Sequence, residues 1–113
     1  MMDTKQNQAM TLNQIVDLLR QELPHLAPKY QLQTLSLFGS YIRHEQHQAS
    51  DLDVLVTYSK TPDLFAFIEL QYLLTDMLGV TVDLVMKEGL KPRIAQQILA
   101  EEMPIYHGRA YSS

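Results

Sequence analysis

Gly39-Ser40, Arg43, Asp51-Leu52-Asp53 and Asp83 are residue types that handle phosphate, and their spacing sets them at the ends of apolar runs. The run Leu35-Ser36-Leu37-Phe38 stops at Gly39-Ser40; ten residues later Asp51-Leu52-Asp53 opens a second run, Val54-Leu55-Val56. Gly39 has no Cβ, so backbone amides can approach a phosphate closely there. Ser40 offers a hydroxyl and an amide where a helical turn would begin, and the partial positive charge of such an end favours anions. Arg43, three residues on and on the same face of that turn, can reach a phosphate oxygen or steady a carboxylate. Taken alone, a Gly-Ser pair after a strand is weak evidence, because most such pairs are plain turns.

The carboxylates make it more than a turn. In a strand over Asp51–Thr57, Asp51, Asp53, Leu55 and Thr57 face one way and Leu52, Val54 and Val56 the other. Two carboxylates on one face repel when both are ionised, unless a cation lies between them. Oxygen ligands of this kind suit Mg²⁺, which keeps several waters and shares its shell with substrate phosphates. A third strand over Val80–Met86 puts Val80, Val82 and Leu84 on one side and Thr81, Asp83 and Val85 on the other. An ionisable group amid so apolar a run needs a partner, and Asp83 completes a set with Asp51 and Asp53. Two such ions would clamp the attacking and leaving oxygens of a phosphoryl transfer.

The elements that must position these residues follow in order. A polar, flexible N-terminus over 1–10 precedes a helix that starts with a capping box, Thr11 and Gln14. Its apolar positions are Leu12, Ile15, Val16, Leu18, Leu19 and Leu23, and Pro24 is expected to end it. Gln31–Phe38 reads as a strand, Ser40–Glu45 as one or two helical turns, and 44–50 as a polar loop holding His44 and His47. Asp63–Leu78 reads as a helix with Leu64, Phe67, Ile68, Leu70, Leu74, Met77 and Leu78 inward and Gly79 just past its end. Lys91-Pro92-Arg93 opens a last helix with Ile94, Ala95, Ile98 and Leu99 buried, closed by Pro104. Ile105-Tyr106 adds a short extended segment. The expected fold is one α/β domain over 11–107 with a short tail, 108–113: a small mixed sheet of about three to four strands flanked by about four helices.

Composition narrows the function. The 113 residues suffice for one core, and 46% hydrophobic with 19% charged residues is ordinary for a globular domain. A formal charge of −4 argues against a broad phosphate-tracking surface, so direct nucleic-acid binding is not expected. There is no cysteine, which excludes thiolate catalysis and cysteine-ligated zinc. The four histidines form no HExxH-like pattern. No apolar run is long enough to span a membrane and the start is unlike a signal peptide, so a cytoplasmic protein is expected.

Gly39-Ser40, ten residues and Asp51-Leu52-Asp53 together resemble the GSx10DxD signature of the DNA polymerase β-like nucleotidyltransferase superfamily. Phe38-Gly39-Ser40-Tyr41 with Arg43, Glu45 and Ser50-Asp51 resembles its minimal members (MNT), as do Val82-Asp83-Leu84-Val85 and Leu90-Lys91-Pro92-Arg93-Ile94. The likeness covers about residues 12–106. His44 departs from it, since a glycine or other small residue is usual there. That subfamily resembles the antitoxin half of HEPN/MNT toxin–antitoxin pairs. The resemblance implies transfer of AMP from ATP, with Mg²⁺, onto a tyrosine of a partner HEPN ribonuclease toxin, which silences it. It further implies that Gly39 and Ser40 bind the nucleotide triphosphate, that Asp51 and Asp53 hold metal, and that Asp83 is a third carboxylate helping to activate the acceptor hydroxyl. Arg43 matches a family position near the triphosphate. Little chain is left over after this core, which favours an acceptor that docks on it, such as a protein. Two other readings stand beside this one: transfer to a small hydroxyl-bearing molecule, and a binding module that covers a toxin without catalysis.

Overall fold

The first helix does not stop at its first proline. In the computed structural model, which describes residues 10–46 and 50–108, α1 spans Leu12–Tyr30 and carries Pro24 and Pro28 inside it. Each proline removes one helical hydrogen bond, to the carbonyls of Arg20 and Pro24. Arg20, Pro24 and Pro28 are all exposed, so water can serve the freed carbonyls. On the opposite side Ile15, Val16, Leu19, Leu23 and Ala27 are buried, so the apolar stripe continues past Pro24. Past Pro24, Ala27 is buried and Leu26 and Tyr30 pack partly against the core, so tertiary packing carries the helix on to Tyr30. The capping box is present as expected: Gln14 N–H donates to Thr11 Oγ1 at 3.2 Å and Thr11 N–H to Gln14 Oε1 at 2.9 Å. The helix ends where Gln31 turns left-handed, at φ 60.

Four strands follow, β1 (Leu32–Phe38), β2 (Leu52–Tyr58), β3 (Val82–Met86) and β4 (Met103–His107), in the order β3-β2-β1-β4. β1 runs antiparallel to both β2 and β4, while β2 and β3 are parallel. The parallel pair is joined by α2 (Leu64–Leu78), as a parallel connection requires. Pro104 lies within β4 instead of closing the last helix, which is tolerable because β4 is an edge strand. The residues expected to make helical turns after Ser40 form a compact turn, with Arg43 N–H bonded to Gly39 O at 3.1 Å and Glu45 N–H to Ser40 O at 2.8 Å. Residues 1–9 of the N-terminus expected to be flexible, His47 and the tail beyond Gly108 lie outside the described residues.

The sheet has two unlike faces. Leu35, Leu37, Leu52, Val54, Val56, Val82 and Leu84 join the α1 stripe and Leu70, Leu74 and Leu78 of α2 in one core cluster. A bulge between Leu32 and Thr34 lets Leu32 share this face despite its parity. Thr34, Ser36, Asp53, Leu55, Thr57 and Asp83 belong to the other face by alternation, as the sequence reading requires. α2 differs in detail from expectation. It is capped by Asp63, whose carboxylate accepts from Ala66 N–H at 2.8 Å, and by Gly79 at φ 73. Yet Leu64 and Ile68 are 68% and 37% exposed. This helix is apolar nearly all round, so periodicity cannot choose its inward side; the sheet chooses Leu70, Leu74 and Leu78. α3 (Pro92–Glu101) likewise buries Ile98 alone, while Ile94 and Leu99 are exposed.

Tyr58, at the end of β2, has a buried hydroxyl that meets no partner among the described residues, and burial pushes its pKa up to about 12. An unsatisfied buried hydroxyl costs about 1–3 kcal/mol. Tyr58→Phe is therefore expected to leave stability unchanged or raise it by up to about 1 kcal/mol in urea unfolding. A clear loss of stability would mean that the hydroxyl is satisfied after all.

Among the described residues no helix is long and apolar enough to cross a membrane.

Candidate active site

The turn after β1 begins at Gly39, with φ +83, a region that only glycine enters cheaply. It is held from three sides. Tyr41 is buried in the core, and burial first, then the charge of Asp51, raises its phenol pKa. Gly39 N–H donates to Glu101 Oε2 at 3.1 Å. Arg43 Nη1 donates to both Glu101 oxygens at 3.1 Å, and its Nε to Glu45 Oε1 at 3.0 Å. Of the two uses foreseen for Arg43, the structure displays the second, steadying carboxylates. Among the described residues no protein acceptor meets the amides of Ser40 and Tyr41 or the Ser40 hydroxyl. Those three donors are the candidates to receive an anion. His44 sits at φ 60, the left-handed region, which accounts for the small residue usual at that place.

Asp53 is the point of contact between the turn and the carboxylates. Phe38 pairs with Asp53 across β1 and β2, so the residue after Phe38 lies beside the Asp53 side chain. The carboxylate fills the space a Cβ on Gly39 would need: such an atom would overlap Asp53 Oδ2. On its other side Asp53 pairs in register with Asp83 of β3. Asp51, just before β2 and exposed, is two residues away in the chain, and its charge reaches Asp53. Burial, then the charges of Asp83 and Asp51, raise the Asp53 pKa, with Arg43 opposing and Glu101 adding to the shift. Asp53 is therefore near enough to both of the other predicted carboxylates to feel their charge. Asp83 is exposed at its strand edge, so water solvates it and the expected burial cost does not arise.

An open cleft of about 660 Å³ lies against this face, lined by Phe38, Gly39, Arg43, Asp53, Ile94 and Glu101 among others. Among the described residues no three acidic or histidine side chains are grouped so as to hold a metal ion together. Mg²⁺ seldom relies on such a group; it is held by one or two carboxylates with waters and substrate phosphates, and Asp53 with Asp83 or Asp51 fits that need.

Glu101 escaped the sequence reading, since it is 62 residues from Gly39. One signal was present: Glu101 and Glu102 fall at the C-terminal end of α3, where the helix dipole disfavours negative charge. A local rule broken in this way marks a residue with other work.

Fold and site define a class, and comparison with known proteins agrees. Residues 21–109 match the family model described as "Polymerase beta, Nucleotidyltransferase". The chain belongs to this family. It is 40% identical over 92 residues to protein adenylyltransferase MntA of Thermococcus cleftensis, covering 81% of this chain and 93% of that protein. Two solved structures share the fold. A chain of a toxin–antitoxin crystal structure with AMP-PNP has a TM-score of 0.64 at 32% identity, over 88% of this chain and 76% of that one. A chain from tri-AMPylated Shewanella oneidensis HEPN toxin in complex with MNT antitoxin has a TM-score of 0.61 at 26% identity, over 82% of this chain and 73% of that one.

Proposed function

We propose that the chain is an antitoxin that transfers AMP from ATP, with Mg²⁺, to a tyrosine hydroxyl of a partner HEPN ribonuclease toxin and thereby neutralises it. The observation that carries this reading is the juxtaposition at one end of the sheet: Asp53 packed on Gly39 and paired with Asp83. Gly39, Arg43, Asp53 and Glu101 line one cleft, with Ser40 next in the chain to Gly39 and Asp83 in register beside Asp53. The MntA relative and the AMPylated toxin complex among its fold neighbours support the acceptor class.

In this mechanism the Ser40 and Tyr41 amides and the Ser40 hydroxyl hold the triphosphate. From the carboxylates Asp51, Asp53 and Asp83, Asp53 with one of the other two would hold Mg²⁺, which when bound would offset the repulsion between carboxylates and phosphates and polarise the reacting phosphoryl group. Asp83, exposed and paired in register with Asp53, draws the proton from the acceptor phenol. The phenolic oxygen bonds to the α-phosphorus, the bond from that phosphorus to the bridging oxygen of the β-phosphate breaks, and pyrophosphate leaves. Charge balance also supports the cation. Asp53, Glu45 and Glu101 meet a turn whose cation, Arg43, is already paired, and the charges of Asp51 and Asp83 act on Asp53. A triphosphate would be repelled from such a place without added positive charge.

The test is incubation of the purified chain with a HEPN partner, Mg²⁺ and ATP labelled in the α-phosphate. Label on a tyrosine of the partner is expected. Equal labelling by a chain carrying both Asp51→Asn and Asp53→Asn would overturn the metal mechanism. Full protection of cells by that double variant would point to neutralisation by binding alone.

A further inference from the structure

We infer that Glu101 is a positioning residue for nucleotide binding, a brace that holds the Gly39–Arg43 turn in the shape that receives the triphosphate. The inference rests on the proposed function and adds to it a residue sixty-two positions from the motif.

The geometry is that of a clamp. One carboxylate takes the N–H at the first residue of the turn and the guanidinium four residues later, all at 3.1 Å. Between these two anchor points lie Ser40 and Tyr41, the residues whose donors are the candidates to receive an anion. Fixing both ends of so short a segment fixes the direction of the amides inside it. These bonds are charge-assisted, which makes them shorter and stronger than neutral ones. The Glu101 side chain is 29% exposed and that of Arg43 47%, so the clamp is set at the cleft wall and not in the core. α3 has little else to hold it, since Ile98 is its one buried residue. Glu101 thus joins a lightly anchored helix to the turn.

A rival role for the same contacts is occupancy. A carboxylate on the Gly39 amide could stand where a phosphate must go, and nucleotide would then have to displace it. Two observations favour the brace. Arg43 is shared between Glu101 and Glu45, so it is already neutralised and poorly placed as a free phosphate ligand. The clamp also leaves the Ser40 and Tyr41 donors untouched, so the seat for an anion and the bond to Glu101 do not coincide. The two roles predict opposite effects of removing the carboxylate.

The experiment is calorimetric titration of the full chain with ATP–Mg²⁺, for wild type, Glu101→Ala, Glu101→Gln, Arg43→Ala and the Arg43→Ala/Glu101→Ala pair, with KM and kcat for transfer measured alongside. Glu101→Ala is expected to weaken nucleotide binding and raise KM by about tenfold, the scale of one charge-assisted hydrogen bond, with a much smaller change in kcat. Glu101→Gln keeps an acceptor oxygen for the Gly39 amide and should recover most of the affinity. The double variant should lose much less than the product of the two single losses, because both remove one clamp. A purely structural role would lower the melting temperature without this split between KM and kcat or rescue by glutamine. Wild-type affinity in Glu101→Ala would overturn the brace and leave the nucleotidyltransferase reading standing. Tighter binding would overturn it in favour of occupancy. Failure of the wild-type chain to bind ATP–Mg²⁺ would overturn the proposed function and this inference with it.

Discussion

Asp53→Asn is expected to reduce nucleotidyl transfer by on the order of a thousandfold or more, while making the metal-free protein more stable. The first half follows from the charge the variant removes: a bound divalent ion contributes several kcal/mol to the transition state, and each 1.36 kcal/mol is about tenfold in rate. The second half follows from where the charge sits. Asp53 is partly buried, is paired with Asp83, and has its pKa raised by burial and by neighbouring carboxylates. Its ionised form is therefore unfavourable in the folded state. Asparagine keeps the shape and removes the repulsion. A rise in melting temperature of a few degrees is expected without divalent ions, the scale on which about 0.5–1 kcal/mol moves a domain of this size. Adding Mg²⁺ should then raise the melting temperature of wild type more than that of the variant. Transfer would be followed by single-turnover labelling and stability by thermal melts in chelator. A variant that melts below wild type in chelator would contradict the repulsion argument.

Gly39→Ala has the next largest expected effect, and a second glycine supplies its control. Gly39 and Gly79 have nearly the same backbone, φ +83 and +73. Alanine at either position carries the cost of the left-handed region, roughly 1–2 kcal/mol. Only at Gly39 does the new methyl meet anything: it overlaps Asp53 Oδ2, whereas nothing lies within 4 Å of a Cβ on Gly79. The overlap is relieved most cheaply by turning the Asp53 carboxylate away, which moves it relative to Asp83. Both variants should thus melt about 5–10 °C below wild type, and Gly79→Ala should keep its activity. Gly39→Ala should lose about a hundredfold or more, since misplacing a reacting group by about 1 Å has that effect. Comparable activity in the two variants would mean that the Asp53 position is not set by Gly39.

What the sequence revealed and what it withheld divide along physical lines. Period-two alternation placed Asp51, Asp53 and Asp83 on the face away from the core, because parity is a local property of a strand. The Thr11–Gln14 box and Gly79 marked helix ends correctly, because a cap depends on residues within one turn. Pro24 misled for the opposite reason. Its local cost was real, and burial of Leu23 and Ala27 against distant elements overrode it. The inward sides of α2 and α3 were equally out of local reach. So was Glu101, which meets Gly39 and Arg43 only because β4 returns beside β1 and brings the end of α3 with it.

The two-faced sheet divides the labour of selection. Residues that keep the fold together, such as Leu19, Leu35, Val54 and Leu74, lie on one side of it, and the carboxylates and the glycine turn lie at its other side and end. Substitutions in the first group adjust how long a molecule survives at a given temperature. Those in the second adjust what it does while it survives. A lineage moving between cold and hot habitats can therefore rework much of its core, Tyr41 excepted, with less effect on the reaction than a change at the cleft.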